Sequence, residues 1–198
     1  MALGFCNSLV LGAALVVTSA GGLAAEAHVP VTVSHGYSYF GDLKYPADFA
    51  HLDYVNPEAP KGGEISQWFF GTFDSFNPYA RKGNQAALSS IPFETVMTSF
   101  DDDATASYCF LCTTVEYPKS LDWAMFTLRD DVRFSDGSAL TAADVKFSFN
   151  LFMEQGLPSY RAAVSGMVAD IEILSPLRLK FIFTEDAPRR DVVNLAGG

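Results

Sequence analysis

Among the side chains able to do chemistry, Cys109 and Cys112 stand out first, spaced as C-x-x-C in "YCFLC". That spacing serves a thioredoxin-like redox pair, half of a zinc site, or a local disulfide. Zinc needs four ligands, and the three histidines, His28, His35 and His51, are far apart with no paired spacing. A redox pair opens a helix in a βαβ unit, and no such unit is legible around "YCFLC". A short disulfide or two buried thiols is the expectation that remains. Asp101-Asp102-Asp103 lacks the alternating spacing and the glycine of a calcium loop, so it is expected to be a solvated turn. There is no G-x-S-x-G elbow, H-E-x-x-H helix, P-loop or G-x-G-x-x-G. All histidines fall before residue 52, so no nucleophile–histidine pair is local. The residues call for no cofactor and no metal, and enzymatic chemistry has no support.

The elements expected around these residues are irregular at first. Residues 28–63 are turn-rich, with three prolines in "YPADFAHLDYVNPEAPKGG", and read as an extended segment wrapping a surface. "EISQWFF" (Glu64–Phe70) reads as a strand ended by Gly71. Asn84–Phe100 has helical spacing through Leu88, Ile91 and Val96, interrupted at Pro92. "TTVEYP" and "WAMFTLR" read as two strands. After them, Ser135-Asp136-Gly137 is a tight turn, with glycine supplying the positive φ. Thr141 is placed as the N-cap of a helix and Asp144 completes a capping box. Val145, Phe149 and Phe152 fall on one helical stripe facing a core. "VADIEIL" and "LRLKFIF" flank Ser175-Pro176 as a hairpin, with Leu177, Leu179, Phe181 and Phe183 alternating with Arg178 and Lys180.

Composition bounds what such a chain does. Its 198 residues are 49% hydrophobic, enough to bury a core. A net charge of −10 argues against nucleic acid, which needs a basic footprint. No charged residue precedes Glu26, and Leu9–Ala20 is an apolar run too short to span a bilayer comfortably. Ala25-Glu26-Ala27 offers a small-x-small cleavage site. Residues 1–27 are read as a secretory signal peptide, although the n-region lacks Lys and Arg; the other reading is an uncleaved anchor. Cys6 leaves with that segment and sits in no lipobox, because Phe5 precedes it.

"FTLRDDVRFSDGSALTAADVKFSF" (126–149) resembles the signature of extracellular solute-binding protein family 5, the peptide and nickel class of ABC-importer binding proteins. The match runs through Phe126, Leu128, Arg129, Val132, Phe134, Asp136, Gly137, Thr141, Ala142, Asp144, Val145 and Ser148. "APKGGEI" is similar to the family's opening Gly-Gly strand, and "GTFDSFNPY" to its "LNP" loop. Residues 39–63 and 91–118 resemble the oligopeptide and microcin C branch. The family's "LAES"-like turn is replaced by Leu111-Cys112-Thr113-Thr114, so the cysteines are expected to hold it.

The resemblance implies an α/β fold, a partial first lobe of a periplasmic binding protein (type II-like) with a mixed sheet and flanking helices. It divides the chain into a signal peptide (1–27), an extended N-terminal segment (28–63) and an incomplete lobe (64–198), because family members are much longer. The implied function is the periplasmic substrate-binding component of an ABC importer. It would capture peptides or peptide-like solutes and deliver them to permease subunits in the inner membrane. Ligand contact is expected from Thr72, Phe73, Asp74 and Ser75, the loop leaving the first strand; the competing reading makes it an ordinary turn in which Asp74 and Asn77 bond their own backbone. The alternatives are a secreted hydrolase and an inactive truncated product.

Overall fold

The computed structural model describes Met1 and residues 29–198, so the signal segment read at 1–27 lies outside the described residues. Eight strands and three helices follow in order. The strands are β1 (Val31–Ser34), β2 (Gly36–Ser38), β3 (Met97–Phe100), β4 (Asp103–Cys109), β5 (Cys112–Pro118), β6 (Trp123–Leu128), β7 (Val168–Ser175) and β8 (Arg178–Phe183). The helices are α1 (Ala142–Gln155) and α2 (Pro158–Val164), both between β6 and β7, and α3 (Val192–Gly197) after β8.

A five-stranded sheet runs β1-β5-β6-β8-β7, and a three-stranded sheet runs β2-β4-β3. The α/β architecture is as the resemblance implies. Strand direction differs in one respect, since every ladder in both sheets is antiparallel rather than mixed. Connectivity accounts for three of these ladders: β3–β4, β5–β6 and β7–β8 are joined by short turns, and a short turn only allows antiparallel pairing.

The larger sheet has a clean inner face. Val115 pairs with Phe126, Phe126 with Leu179, and Phe181 with both Ala124 and Ile171. All six are buried, and α1 lays Phe149 edge-on against Phe181 with ring centroids 6.0 Å apart. The outer face carries Glu116, Met125, Arg178 and Lys180; Arg178 reaches Glu116 at 2.9 Å and Lys180 stands over the Trp123 ring. At the edge, Ile171 of β7 gives its N–H to Asp170 Oδ1 at 2.7 Å, and its carbonyl accepts from Lys146 Nζ.

The N-terminal segment joins both sheets through β1 and β2, and its Leu43, Tyr45, Phe49 and Leu52 pack on the smaller one. Tyr45, Phe49, Phe100 and Tyr108 form one aromatic cluster, with Phe100 stacked on Tyr108 at 4.9 Å. Tyr45 donates its N–H to Tyr108 Oη at 3.1 Å, and Lys44 pairs with Asp102 at 2.5 Å and with Asp53 at 2.9 Å. Asp101–Asp103 is therefore more than a solvated turn. Asp102 and Asp103 accept from Lys44, Tyr45 and Tyr108 and fasten residues 41–55 to the sheet.

Two expected elements do not form. Glu64–Phe70 lies outside any ladder and is exposed along its length, because no partner strand meets it among the described residues. Asn84–Phe100 is a series of turns that leads into β3. Leu88 takes a φ of 61°, in the left-handed region, and Ser89, Ile91 and Phe93 donate three residues back rather than four.

Candidate functional site

The signature stretch positions the site without supplying chemistry. Phe134 and Ser138 close a tight turn: Phe134 N–H donates to the Ser138 carbonyl at 2.9 Å and Gly137 N–H to the Phe134 carbonyl at 2.8 Å. Gly137 sits at φ 87°, and Asp136 Oδ1 accepts from the Ser138 N–H and hydroxyl, which holds its carboxyl below the usual carboxylate range. The helix then starts at Ala142, whose N–H donates to the Pro176 carbonyl of the β7–β8 turn at 2.8 Å. Arg129 and Asp131 make a two-bond pair at 2.9 and 2.7 Å. Thus the turn, the cap and the hairpin fix the direction of α1.

The far end of α1 carries the loop proposed for ligand contact. Tyr79 packs edge-on against Phe152 of α1 at 4.8 Å and against Phe93 at 5.1 Å, and Phe152 lies 5.7 Å from Tyr160 of α2. Burial raises the Tyr160 hydroxyl above its ordinary range. This aromatic row was not legible in the sequence; its members, Tyr79, Phe93, Phe152 and Tyr160, are separated by eight to eighty-one residues and no periodicity links them.

The loop itself is closed at its neck. Asp74 and Ser75 donate their N–H groups to the Asn84 carbonyl at 3.0 and 3.2 Å, and Ala86 returns one to the Ser75 carbonyl at 2.7 Å. Asp74 Oδ1 accepts the Asn84 N–H at 2.8 Å, and Asn77 Oδ1 accepts the Tyr79 N–H at 2.9 Å. Asp74 and Asn77 thus bond the loop's own backbone, as an ordinary turn does. A side chain at Gly83 would meet Asp74 Oδ1 at 2.4 Å, so glycine is required there for this contact as well as for its φ of 87°. Thr72 and Phe73 differ. They are exposed, and their backbone groups make no hydrogen bond among the described residues. The Phe73 ring meets Phe76 at 5.0 Å; earlier in the chain Trp68 and Phe70 pair edge-on with each other and are 72% and 94% exposed.

The structure joins Cys109 and Cys112 by a disulfide at the β4–β5 turn, distant in sequence from this loop. Among the described residues no group of three or more His, Cys, Asp or Glu gathers as metal ligands would, and no helix is long and apolar enough to cross a membrane. The arrangement offers free backbone and aromatic surface, which suits recognition of an extended chain.

Residues 120–197 match the family model of bacterial extracellular solute-binding proteins, family 5, middle region. Over these residues the chain is similar to family 5. The family 5 match begins just before β6 and takes in the signature turn, α1, α2 and the β7–β8 hairpin. YejA of Escherichia coli K12 is 36% identical over 147 residues, which are 74% of this chain and 24% of YejA. A putative binding protein of Brucella melitensis is 32% identical over 192 residues, 92% of this chain and 31% of the relative. The chain therefore spans less than a third of the length of these relatives. Helicobacter pylori DppA, solved in complex with a peptide, has a TM-score of 0.50 at 18% identity over 63% of this chain and 27% of DppA, a likeness of fold.

Proposed function

We propose that the chain is part of the substrate-binding component of an ABC importer and captures peptides or peptide-like solutes in the periplasm. The observation that carries this reading is a relative from Agrobacterium fabrum, named a probable peptide-binding protein, that is 44% identical over 114 residues. A second relative from that organism, 34% identical over 170 residues, is named a peptidoglycan-binding protein, which also fits a solute bearing a peptide. Residues 1–27 act as the export signal, 28–63 as the extended segment that joins both sheets, and 64–198 as part of the first lobe. The permease subunits of the importer in the inner membrane receive the solute. The chain performs no catalysis.

Thr72 and Phe73 form one wall of the site, with Asp74 and Ser75 shaping the neck behind them. Free N–H and C=O groups at Thr72 and Phe73 pair with the backbone of an extended peptide, so that its sequence matters little. Capture takes place between two lobes that close by a hinge, of which this chain supplies one wall. One wall alone binds weakly, because the cost of immobilising a peptide is met by half the contacts.

Calorimetry with an extended-peptide library tests this reading. In the protein at the length of its relatives, Phe73→Ala weakens binding by about tenfold, the loss of one exposed aromatic contact. Unchanged affinity in a Phe73→Ala, Asp74→Ala double variant removes the loop from the site, and micromolar binding by the 198-residue chain alone overturns the two-walled capture.

A further inference from the structure

The chain passes between the two sheets twice among the described residues, at Ser34–Gly36 from β1 to β2 and at Cys109–Cys112 from β4 to β5. The two passages are bonded to each other: Cys109 donates its N–H to the His35 carbonyl at 2.8 Å. His35 in turn holds residues 41–55, because its Nε2 donates to the Tyr45 carbonyl at 2.9 Å and its ring lies 5.9 Å from Tyr108. Gly36 lets the strands come this close, since a Cβ there would stand 2.8 Å from the Ser107 carbonyl oxygen. The Phe110-Leu111 turn inside the disulfide is equally committed. Both residues donate N–H groups to the Val96 carbonyl, at 2.9 and 3.1 Å, and the Leu111 carbonyl accepts from Arg129 at 3.0 Å. One covalent bond thus sits where β3, β4, β5, the end of β6 and the N-terminal segment converge.

We infer that the Cys109–Cys112 disulfide is a redox-responsive latch whose reduction releases residues 41–55 from the smaller sheet. The two sulfurs stand in different surroundings. Cys112 is buried among core side chains, whereas Cys109 is partly exposed. A thiolate of a dithiol reductant attacks Cys109 Sγ, the protein S–S bond breaks, and its electron pair leaves on Cys112 Sγ, which takes a proton. The second thiol of the reductant attacks the mixed disulfide and releases Cys109 as a thiol. The reductant departs as a disulfide, and the protein has gained two electrons and two protons. Two thiols need more room than one disulfide, and Cys112 cannot yield inside a close-packed core. Cys109 therefore shifts, and its N–H leaves the His35 carbonyl. His35 then no longer orders the Tyr45 backbone, and the segment, left to its bonds with Asp102, Asp103 and Tyr108, opens locally more readily without global unfolding.

The test treats the full chain with dithiothreitol under native conditions and follows thiol alkylation, tryptic cleavage after Lys44 and thermal melting. Reduction is expected to add two alkylatable thiols per chain, to speed cleavage after Lys44 by about tenfold, and to lower Tm by about 5 °C, with reoxidation reversing all three. A Cys109→Ser, Cys112→Ser double variant is expected to match the reduced chain with and without reductant. Should the double variant fail to fold, the reduced and reoxidised native chain still decides the matter. Two new thiols with unchanged cleavage and melting would make the bond a plain staple, and no new thiols under native conditions would remove the response to reductant; either result overturns the latch.

Discussion

The Asp144 carboxylate accepts two hydrogen bonds from Thr141 through one oxygen, from the backbone N–H at 2.8 Å and from the hydroxyl at 2.7 Å. This pair sets the first turn of α1, the helix whose other end carries Tyr79 and the loop it anchors. Thr141→Ala removes one of the two bonds and is expected to cost about 1 kcal/mol, read from urea unfolding. Asp144→Ala removes both and is expected to cost more than Thr141→Ala. Ligand specificity stays the same in both variants, and a change of specificity at unchanged stability would contradict the scaffold role of the signature.

Gly137 separates backbone strain from crowding. It lies at φ 87° with open space where a side chain would project. Asparagine tolerates this region and a β-branched residue does not. Gly137→Asn is expected to melt close to the native chain, whereas Gly137→Val is expected to lose about 1–3 kcal/mol. Equal losses from the two variants would place the cost elsewhere.

Acid acts first on the N-terminal segment. Lys44, and then Tyr45, hold the Asp102 carboxyl below its ordinary range. A carboxylate depressed in the folded state contributes stability above its unfolded pKa, and that contribution is lost as pH falls through the folded value. Residues 41–55 are therefore expected to gain hydrogen exchange as the pH drops below about 4, ahead of the larger sheet. Asp102→Asn is expected to abolish this pH dependence.

Tyr79 tests whether α1 positions the loop. Tyr79→Ala deletes two edge-on aromatic contacts, with Phe93 and Phe152, each worth about 0.5–1.5 kcal/mol. Hydrogen exchange is expected to rise across residues 74–86 and peptide affinity to fall, while β5–β8 exchange is unaltered. Exchange unchanged at 74–86 would show that the neck bonds at Asp74 and Asn84 suffice.

Export is checked by mass. The exported protein is expected to begin at His28, after Ala25-Glu26-Ala27. Recovery of intact Met1 in the membrane fraction would establish an anchor instead.

The elements legible in the sequence were those decided within a few residues. Leu177, Leu179, Phe181 and Phe183 alternate within one strand and turn, and Thr141 and Asp144 meet three residues apart, so pattern alone located them. The misread segments needed distant information. Glu64–Phe70 has strand composition, but composition does not provide a neighbouring strand. Asn84–Phe100 has helical spacing, but Leu88 adopts a positive φ and Pro92 has no N–H to give. The docking of Tyr45 on Tyr108 spans 63 residues and left no local trace. Within the loop proposed for ligand contact, the sequence left open how the residues divide. Asp74 and Asn77 turn inward to their own backbone, and Thr72 and Phe73 remain outward.

The bonds made by Ile171 set a limit on growth. A peripheral strand of eight residues is long enough to template a strand from another molecule, and β7 has that length. At its centre, however, the Ile171 amide is taken by Asp170 and the carbonyl by Lys146. An incoming chain would have to displace an ammonium group and a carboxylate before it could register its first rung. Fibril-like addition along this border is therefore blocked at the midpoint by side chains of the same molecule.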